Sequence, residues 1–156
     1  YFYDALGNKT AVIDPLGTMT THEYDEMNRL VSRTLPPAGG SSESNQEPAT
    51  TRYLYDGEGN LVAEWDAAEH QTSYAYNARN QRVAMMESSP ELPAVALPVS
   101  FSAADPVTTY SYDAWGNLRA SVAPAGATTS YRYDAFGRQV RVAQQVPGNA
   151  RHAICP

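Results

Sequence analysis

A seven-residue phrase beginning with Tyr-Asp recurs along this 156-residue chain and constrains its fold more than any other feature. The six copies read YDALGNK, YDEMNRL, YDGEGNL, YNARNQR, YDAWGNL and YDAFGRQ, and they start at Tyr3, Tyr24, Tyr55, Tyr76, Tyr112 and Tyr133. Their tyrosines form three pairs, and the two members of each pair are 21 positions apart. Self-similarity at a fixed period indicates a repeat architecture, in which each unit packs mainly against its neighbours.

An aromatic residue usually stands two positions before the tyrosine of each phrase. These earlier residues are Tyr1, His22, Tyr53, Tyr74, Tyr110 and Tyr131. Residues two apart on a β-strand share one face, and tyrosine favours strands. Each phrase is therefore predicted to end a strand with two rings on one side. Stacking of the rings across neighbouring strands would contribute about 0.5–1.5 kcal/mol per pair beyond burial.

The second and fifth positions of the phrase are typical of a tight hairpin turn. The second positions are Asp4, Asp25, Asp56, Asn77, Asp113 and Asp134, and the fifth positions are Gly7, Asn28, Gly59, Asn80, Gly116 and Gly137. An Asp or Asn side chain can accept hydrogen bonds from the backbone ahead of it, and Gly and Asn tolerate positive φ. We interpret these residues, with the six tyrosines, as the structural determinants of the repeat rather than as a catalytic set.

A returning strand and a second turn are expected to follow each leading copy of a pair. The return strands place Lys9, Leu61 and Leu118, then Ala11, Ala63 and Ala120, then Ile13, Trp65 and Val122 at alternate positions. We expect these residues to share one face. In the trailing copies Val31, Val83 and Val140 lie one position later. Either both faces are covered there or a bulge shifts the register.

The whole pattern predicts an all-β fold of antiparallel hairpins with about twelve short strands in meander order. We expect one repeat array over residues 1–156, with long loops between double units. The expected double units span 1–35, 51–87 and 108–146, the loops 36–50 and 88–107, and the tail 147–156.

Charge and composition exclude several classes of function. The formal net charge is -6, which disfavours nucleic acid as a partner because such binding needs a basic face. No run of about 18 apolar residues predicts a membrane span. His22, His70, His152 and the single Cys155 are scattered, so we expect no metal, no cofactor and no enzymatic activity.

The recurring Tyr-Asp-x-x-Gly-[Asn/Arg]-x phrase, with Asp-Pro-x-Gly between copies, closely resembles the YD-repeat, or Rhs, family. The departures are Asn77 for Asp, Asn28 and Asn80 for Gly, and His22 for Tyr. The resemblance implies part of a spiralling shell, as found in polymorphic toxins, insecticidal toxin complexes and teneurins. It further implies a secreted or cell-surface protein, of which this chain would be a fragment.

Partners implied by the resemblance are flanking YD repeats of the same longer chain and an enclosed toxin or effector domain. The segment DPLGT at 14–18 resembles the self-cleavage signature of such toxins, but it has Thr18 in place of Leu and matches an ordinary repeat turn. An alternative function is carbohydrate binding, in which the tyrosine rows or the long loops contact cell-surface or cell-wall glycans.

Overall fold

The computed structural model describes residues 1–37, 47–88, 101 and 105–147, which include all six Tyr-Asp phrases. The described residues form twelve β-strands and no helix. The strands are β1 (Phe2–Tyr3), β2 (Lys9–Ile13), β3 (Met19–Tyr24), β4 (Leu30–Leu35), β5 (Ala49–Tyr55), β6 (Leu61–Trp65), β7 (Gln71–Tyr76), β8 (Arg82–Glu87), β9 (Val107–Tyr112), β10 (Leu118–Val122), β11 (Thr128–Tyr133) and β12 (Gln139–Gln145).

The strands follow one another in chain order within a single antiparallel sheet. The predicted all-β meander of about twelve strands is therefore confirmed. Each phrase lies at the end of an odd-numbered strand and connects it to the next, so the chain forms six hairpins, numbered 1 to 6 from β1–β2 to β11–β12. The turn inside each hairpin is called its YD turn below.

Two compact units make up the described chain. The N-terminal unit comprises Tyr1–Thr72 together with Ser88, and the C-terminal unit comprises Ser73–Glu87 with described residues 101 and 105–147. Strand β5 begins at Ala49 and strand β9 at Val107, so the predicted loops 36–50 and 88–107 overlap these strands by two residues and one residue. Most of the two predicted loops, and the tail with His152 and Cys155, lie outside the described residues.

Positive φ at the fifth position of every phrase closes the YD turns. The φ angles are 85° at Gly7, 60° at Asn28, 90° at Gly59, 57° at Asn80, 92° at Gly116 and 75° at Gly137. In each turn the fifth-position N–H donates to the backbone carbonyl of the second residue, for example from Gly59 to Asp56 over 3.2 Å. The N–H of the second residue donates to the carbonyl of the sixth, here from Asp56 to Asn60 over 3.0 Å. These bonds define a type I turn closed by a left-handed residue.

The turns at the opposite strand ends, between β2 and β3, β6 and β7, and β10 and β11, repeat this geometry. Gly17 and Gly126 have φ angles of 85° and 82°, but Glu69 occupies the corresponding place with φ 62°. A glutamate in this conformation carries a backbone cost that glycine avoids. Its side chain forms an ion pair with Arg52 on strand β5, which offsets part of that cost.

A one-residue shift in register follows the YD turn. In hairpin 3, Tyr55 pairs with Leu61, whereas Leu54 pairs with Ala63, so Val62 is the extra residue. The trailing copies show the same shift, because Tyr24 pairs with Leu30 and Glu23 with Ser32. The bulge is thus present, as one of the two alternatives proposed, but it does not distinguish trailing from leading copies.

The bulge also corrects the predicted face of the return strand. Directly opposed residues share a face, so Leu61 lies on the face of Tyr55, and Ala63 lies on the other face with Leu54. The same holds for Lys9 against Ala11 and for Leu118 against Ala120. The prediction that these residues share one face is therefore wrong. Side chains alternate between the two faces of a strand, and a bulge inverts that alternation. A sequence pattern with a two-residue period does not show where a bulge lies.

Within each unit the register places both tyrosines of a phrase on one face, as predicted. Pairs such as Ser121 with Tyr110 and Leu118 with Tyr112 fix this tyrosine face in the C-terminal unit. On the opposite face, three alanines at equivalent positions are nearly inaccessible to solvent: Ala11, Ala63 and Ala84. The apolar core is small, so much of the stability must come from the hydrogen-bonded turns and ladders.

The turn geometry predicts unequal effects of two substitutions at Gly59. A Cβ atom there would meet no atom within 4 Å, so backbone strain alone decides the outcome. Gly59→Val should lower the free energy of unfolding by about 2 kcal/mol, because branched side chains disfavour positive φ. Gly59→Asn should cost well under half of that, as Asn28 and Asn80 already adopt this conformation. Urea unfolding curves measure both, and equal losses would contradict the turn assignment.

Candidate functional site: the seams between hairpins

The hairpins separate from one another as they approach their YD turns. Between β2 and β3 the ladder covers only Ala11–Ile13 paired with Met19–Thr21. Between β10 and β11 it covers only Ala120–Val122 paired with Thr128–Ser130. The strand residues nearest the YD turns thus have no ladder partner on the adjacent hairpin. We call each such gap a seam and number it by its two hairpins.

Tyrosine hydroxyls bridge the seams. The tyrosine that starts one phrase donates from its hydroxyl to the backbone carbonyl of the seventh residue of the preceding phrase. Three such bonds join Tyr24 to Lys9 over 3.1 Å, Tyr55 to Leu30 over 3.0 Å, and Tyr112 to Arg82 over 2.8 Å. A carbonyl that is shielded from water without a partner is costly, and two of these three bonds are partly buried, so the tyrosines satisfy the backbone where the ladder has ended.

Inside each YD turn the Asp side chain holds the backbone in place. One carboxylate oxygen of Asp113 accepts the N–H groups of Trp115 and Asn117 over 3.0 and 2.9 Å. The other accepts the side-chain amide of Asn117 over 2.9 Å. The residue at the sixth position repeats this role elsewhere, as an asparagine at Asn8 and Asn60 or as an arginine at Arg29 and Arg138.

The sixth residue also crosses the seam to the next YD turn. Asn8 donates to the side-chain oxygen of Asn28 over 2.9 Å, and Arg29 donates to the carbonyl of Asp56 over 2.9 Å. Gln81 lies 3.4 Å from the carbonyl of Gly116. At these three seams the neighbouring YD turns are therefore linked. Either a short Asn side chain donates to an Asn of the next turn, or a longer Arg or Gln side chain reaches a backbone carbonyl there.

One phrase reverses the direction of its internal hydrogen bond. Asn77 replaces the usual Asp, and its side-chain amide donates to the side-chain oxygen of Gln81 over 3.0 Å. Its own oxygen still accepts the N–H groups of Arg79 and Gln81 over 2.9 and 3.1 Å. The change from Asp to Asn is matched by a glutamine at the sixth position, which can accept where an arginine cannot.

Arginine side chains cover the tyrosine rings. The guanidinium carbon of Arg29 lies 4.8 Å from the ring centre of Tyr55, and that of Arg82 lies 4.9 Å from Tyr110 and 5.4 Å from Tyr74. At these positions an arginine cation stacks on a tyrosine ring. A planar guanidinium can stack on a ring while it also donates hydrogen bonds, as Arg29 does to the carbonyl of Asp56.

Hydrogen bonds stabilise the ionised form of the turn carboxylates. The side-chain amide of Asn8 is the main reason why the pKa of Asp4 lies below its ordinary value of 3.8, and the backbone N–H of Arg29 is the main reason for the lowered pKa of Asp25. Desolvation raises the pKa of Asp56, but the hydrogen bonds from Asn60 and Glu58 outweigh it and lower the pKa overall. These carboxylates therefore act as hydrogen-bond acceptors that hold the turns in shape.

His22 occupies a tyrosine position without a hydrogen-bond partner for its buried Nδ1 atom. Burial lowers the pKa of this imidazole, and the charges of Arg33 and Lys9 lower it further. The neutral ring therefore takes the place of a phenol on the tyrosine face.

Sequence reasoning located the Tyr, Asp and Gly or Asn residues of each turn but assigned no role to the sixth position or to the arginines. The recurring phrase already has Asn or Arg at that sixth position in most copies, and this recurrence was the signal that could have found it.

The segment at 14–18 forms an ordinary turn, in which Asp14 accepts the N–H groups of Leu16 and Thr18 over 2.8 Å each. Within the ranges that the structure covers, no group of three or more His, Cys, Asp or Glu residues is suited to a metal ion. No helix there has the length and apolar character to cross a membrane.

Comparison with protein families assigns the repeat. The model described as RHS Repeat matches residues 3–41, 55–86 and 112–144, about two thirds of the chain. The chain belongs to the Rhs repeat family. Each matched range starts at the tyrosine of a leading copy and includes a trailing copy, so the Rhs repeats coincide with the hairpin pairs described above. No curated protein sequence shows significant similarity to the chain.

Solved structures of Rhs-containing toxin complexes share the fold. A TcdB2-TccC3-TEV structure superposes with a TM-score of 0.69 at 17% identity over 94% of this chain. A TcdB2-TccC3 structure gives 0.65 at 15% identity over 86%, and a Photorhabdus luminescens Tc holotoxin pore gives 0.64 at 15% over 86%. The chain spans 6–7% of the length of those chains. At this identity the likeness establishes the fold of the Rhs repeats alone.

The seam bonds predict different effects of the same substitution at two tyrosines. Tyr55→Phe removes the hydroxyl that satisfies the Leu30 carbonyl and should lower the free energy of unfolding by about 1 kcal/mol. Tyr133→Phe is the matched control, because the Tyr133 hydroxyl reaches no partner within the described residues. Thermal and urea unfolding measure the difference. Equal losses would show that the seam hydroxyls do not stabilise the sheet.

The lowered aspartate pKa values predict sensitivity to acid. Because each folded pKa lies below the ordinary 3.8, the stabilisation is present above that pH and is lost as pH falls from 3.8 through the folded values. Urea midpoints should therefore decline between pH 5 and pH 2. Asp113→Asn removes one titrating group, so it should flatten this decline. A midpoint that rises on acidification would contradict the role of the carboxylates.

Proposed function

We propose that this chain is a wall segment of an Rhs-type shell that encloses a toxin or effector polypeptide. The observation that carries the proposal is the seam, because at three seams the later hairpin satisfies an unpaired backbone carbonyl of its predecessor through its own tyrosine. A sheet joined in this way can be extended by adding hairpins. A shell wall needs a sheet that can be extended by further repeats without a large hydrophobic core.

Exposed apolar side chains on the outermost strands support pairing with flanking YD repeats. Phe2 and Tyr3 are 53% and 59% exposed in β1, and Val140 and Val142 are 62% and 46% exposed in β12. Within the described residues each of these strands pairs on one side only. A free strand edge beside exposed apolar side chains favours further pairing, here with repeats of the same longer chain.

A non-catalytic role fits the state of the aspartates. Acid–base catalysis needs carboxyl groups in unlike environments, but these side chains make the same set of turn hydrogen bonds from copy to copy. The division into three double units with intervening loops, and export of the protein to the cell surface or medium, belong to the same proposal. The tyrosine rows are weak candidates for glycan platforms, because three of the hydroxyls are engaged across seams.

Protection from proteolysis tests the enclosure. In the full-length polypeptide that carries this chain, a tagged C-terminal domain should resist trypsin far longer than the same domain expressed alone. The double substitution Tyr55→Phe and Tyr112→Phe loosens two seams and should speed its digestion, whereas Tyr133→Phe should leave it unchanged. Digestion of the enclosed domain at the rate of the isolated domain would overturn the proposal.

A further inference from the structure

Two arginines lie directly opposite each other on the two strands of hairpin 6. Arg132 on β11 pairs with Arg141 on β12, and both side chains belong to the face opposite the tyrosines. Directly opposed side chains have Cβ atoms roughly 4.5–5.5 Å apart, and like charges at that distance destabilise a sheet. The pair therefore lowers stability unless a negative charge lies beside it.

The described part of the chain supplies no such charge. Neither guanidinium has an ion-pair partner there. Strands β9 to β12 contain three arginines and no Asp or Glu, although the net charge of the whole chain is -6. The carboxylate of Asp134, two residues after Arg132, is already paired with Arg138 over 2.7 Å. Two cationic side chains thus stand side by side without a carboxylate.

The corresponding positions of hairpin 2 carry charges of opposite sign. There Glu23 on β3 pairs with Ser32 on β4, and Ser32 pairs in turn with Arg52 on β5, the first strand of hairpin 3. Glu23 and Arg52 line one hollow of the N-terminal unit, and Arg52 also forms an ion pair with Glu69. We call these three opposed residues a row. A row thus runs from one hairpin to the first strand of the next, and this one contains both signs of charge.

The register that joins a row to the next hairpin is the same at both places where the structure shows it. Ser32 and Ala84 stand eight positions after the tyrosine of their phrase, and each pairs with the residue three positions before the next phrase tyrosine, Arg52 or Thr109. Arg141 has the same place in its own phrase. Within the described residues β12 has a neighbouring strand on one side only. A strand that pairs with its other edge in this register places one residue directly opposite Arg141.

We propose that the edge of β12 binds the first strand of a flanking YD hairpin that carries Asp or Glu three positions before its phrase tyrosine. This carboxylate lies beside Arg141 and converts a like-charged pair into a row with both signs of charge. Backbone pairing along the edge supplies the affinity, and the carboxylate selects one strand over others. The inference rests on the proposed function, since the partner is a repeat of the same shell.

Binding of hairpin peptides to the chain tests this choice of partner. The probe is a fluorescently labelled peptide with the sequence of residues 49–65, which contains both strands of hairpin 3 and has Arg52 three positions before its phrase tyrosine. The peptide with Arg52→Glu should bind at least about ten-fold more tightly than the unchanged peptide, with Arg52→Gln between them. Fluorescence anisotropy at low salt measures all three affinities, and high salt should narrow the differences.

Charge reversal in the chain shows whether Arg141 makes the selection. Arg141→Glu should invert the order, so that the unchanged peptide binds more tightly than its Arg52→Glu form. Arg79→Glu is the matched control, because it changes the net charge equally at an exposed turn residue away from the edge, and it should preserve the order. Equal binding of the three peptides, or an order that survives Arg141→Glu, would overturn the proposal. Polyphosphate that binds as tightly as the Arg52→Glu peptide would indicate a free-anion site and would also overturn it.

The chain without an added strand should respond in the opposite sense. Arg141→Gln removes the like-charge contact and should raise the melting temperature by roughly 2 °C, whereas Arg79→Gln should leave it unchanged. An unchanged melting temperature in Arg141→Gln would contradict the repulsion on which the inference depends. Failure here is distinct from failure of the shell proposal. Equal binding of all three peptides removes the acidic partner but keeps the edge pairing, whereas rapid digestion of the enclosed domain removes the shell.

Discussion

The whole arrangement depends on satisfying backbone carbonyls where neighbouring hairpins separate. A ladder that stops three residues along a strand leaves polar backbone groups unpaired beside a tyrosine face, and each such group is costly when removed from water. The tyrosine that starts a phrase resolves this for the preceding hairpin, as Tyr55 does for Leu30. This explains why the tyrosine lies at the strand end, next to the turn.

Sequence reasoning predicted the turns well because their requirements are local. Positive φ admits Gly and Asn and few others, so the alternation of Gly59 and Asn80 at one position was enough to identify the turn. The bulge escaped prediction because an extra residue, such as Val62, has no distinctive composition, yet it exchanges the faces of everything after it. Glu69 escaped for the opposite reason, since its positive φ coincides with an ion pair to Arg52, which lies on another strand.

The seams were the least predictable part because they join residues of different repeats. Nothing local indicates that Asn8 bonds to Asn28 or that Arg29 reaches the carbonyl of Asp56. Two pairs of residue types can nevertheless be explained once the geometry is known. A short residue at the sixth position needs an asparagine in the next turn, and Asn77 needs an acceptor at Gln81. A single sequence shows the residues of such pairs but not their pairing.

Reliance on turns and seams rather than on a packed core also accounts for the persistence of the fold at low identity. A core of interlocking side chains restricts many positions at once, whereas among the described residues only five apolar side chains are buried, and three of them are alanines such as Ala63. The determinants are a left-handed turn residue, a turn carboxylate or amide, and a phenol that reaches the previous hairpin. The first two recur in all six phrases, and the third is made by Tyr24, Tyr55 and Tyr112; a structure at 17% identity superposes with a TM-score of 0.69. Between hairpins 5 and 6 the cross-seam bond is absent, because Asn117 bonds only within its own turn and does not reach Gly137. Strands β10 and β11 nevertheless keep their ladder.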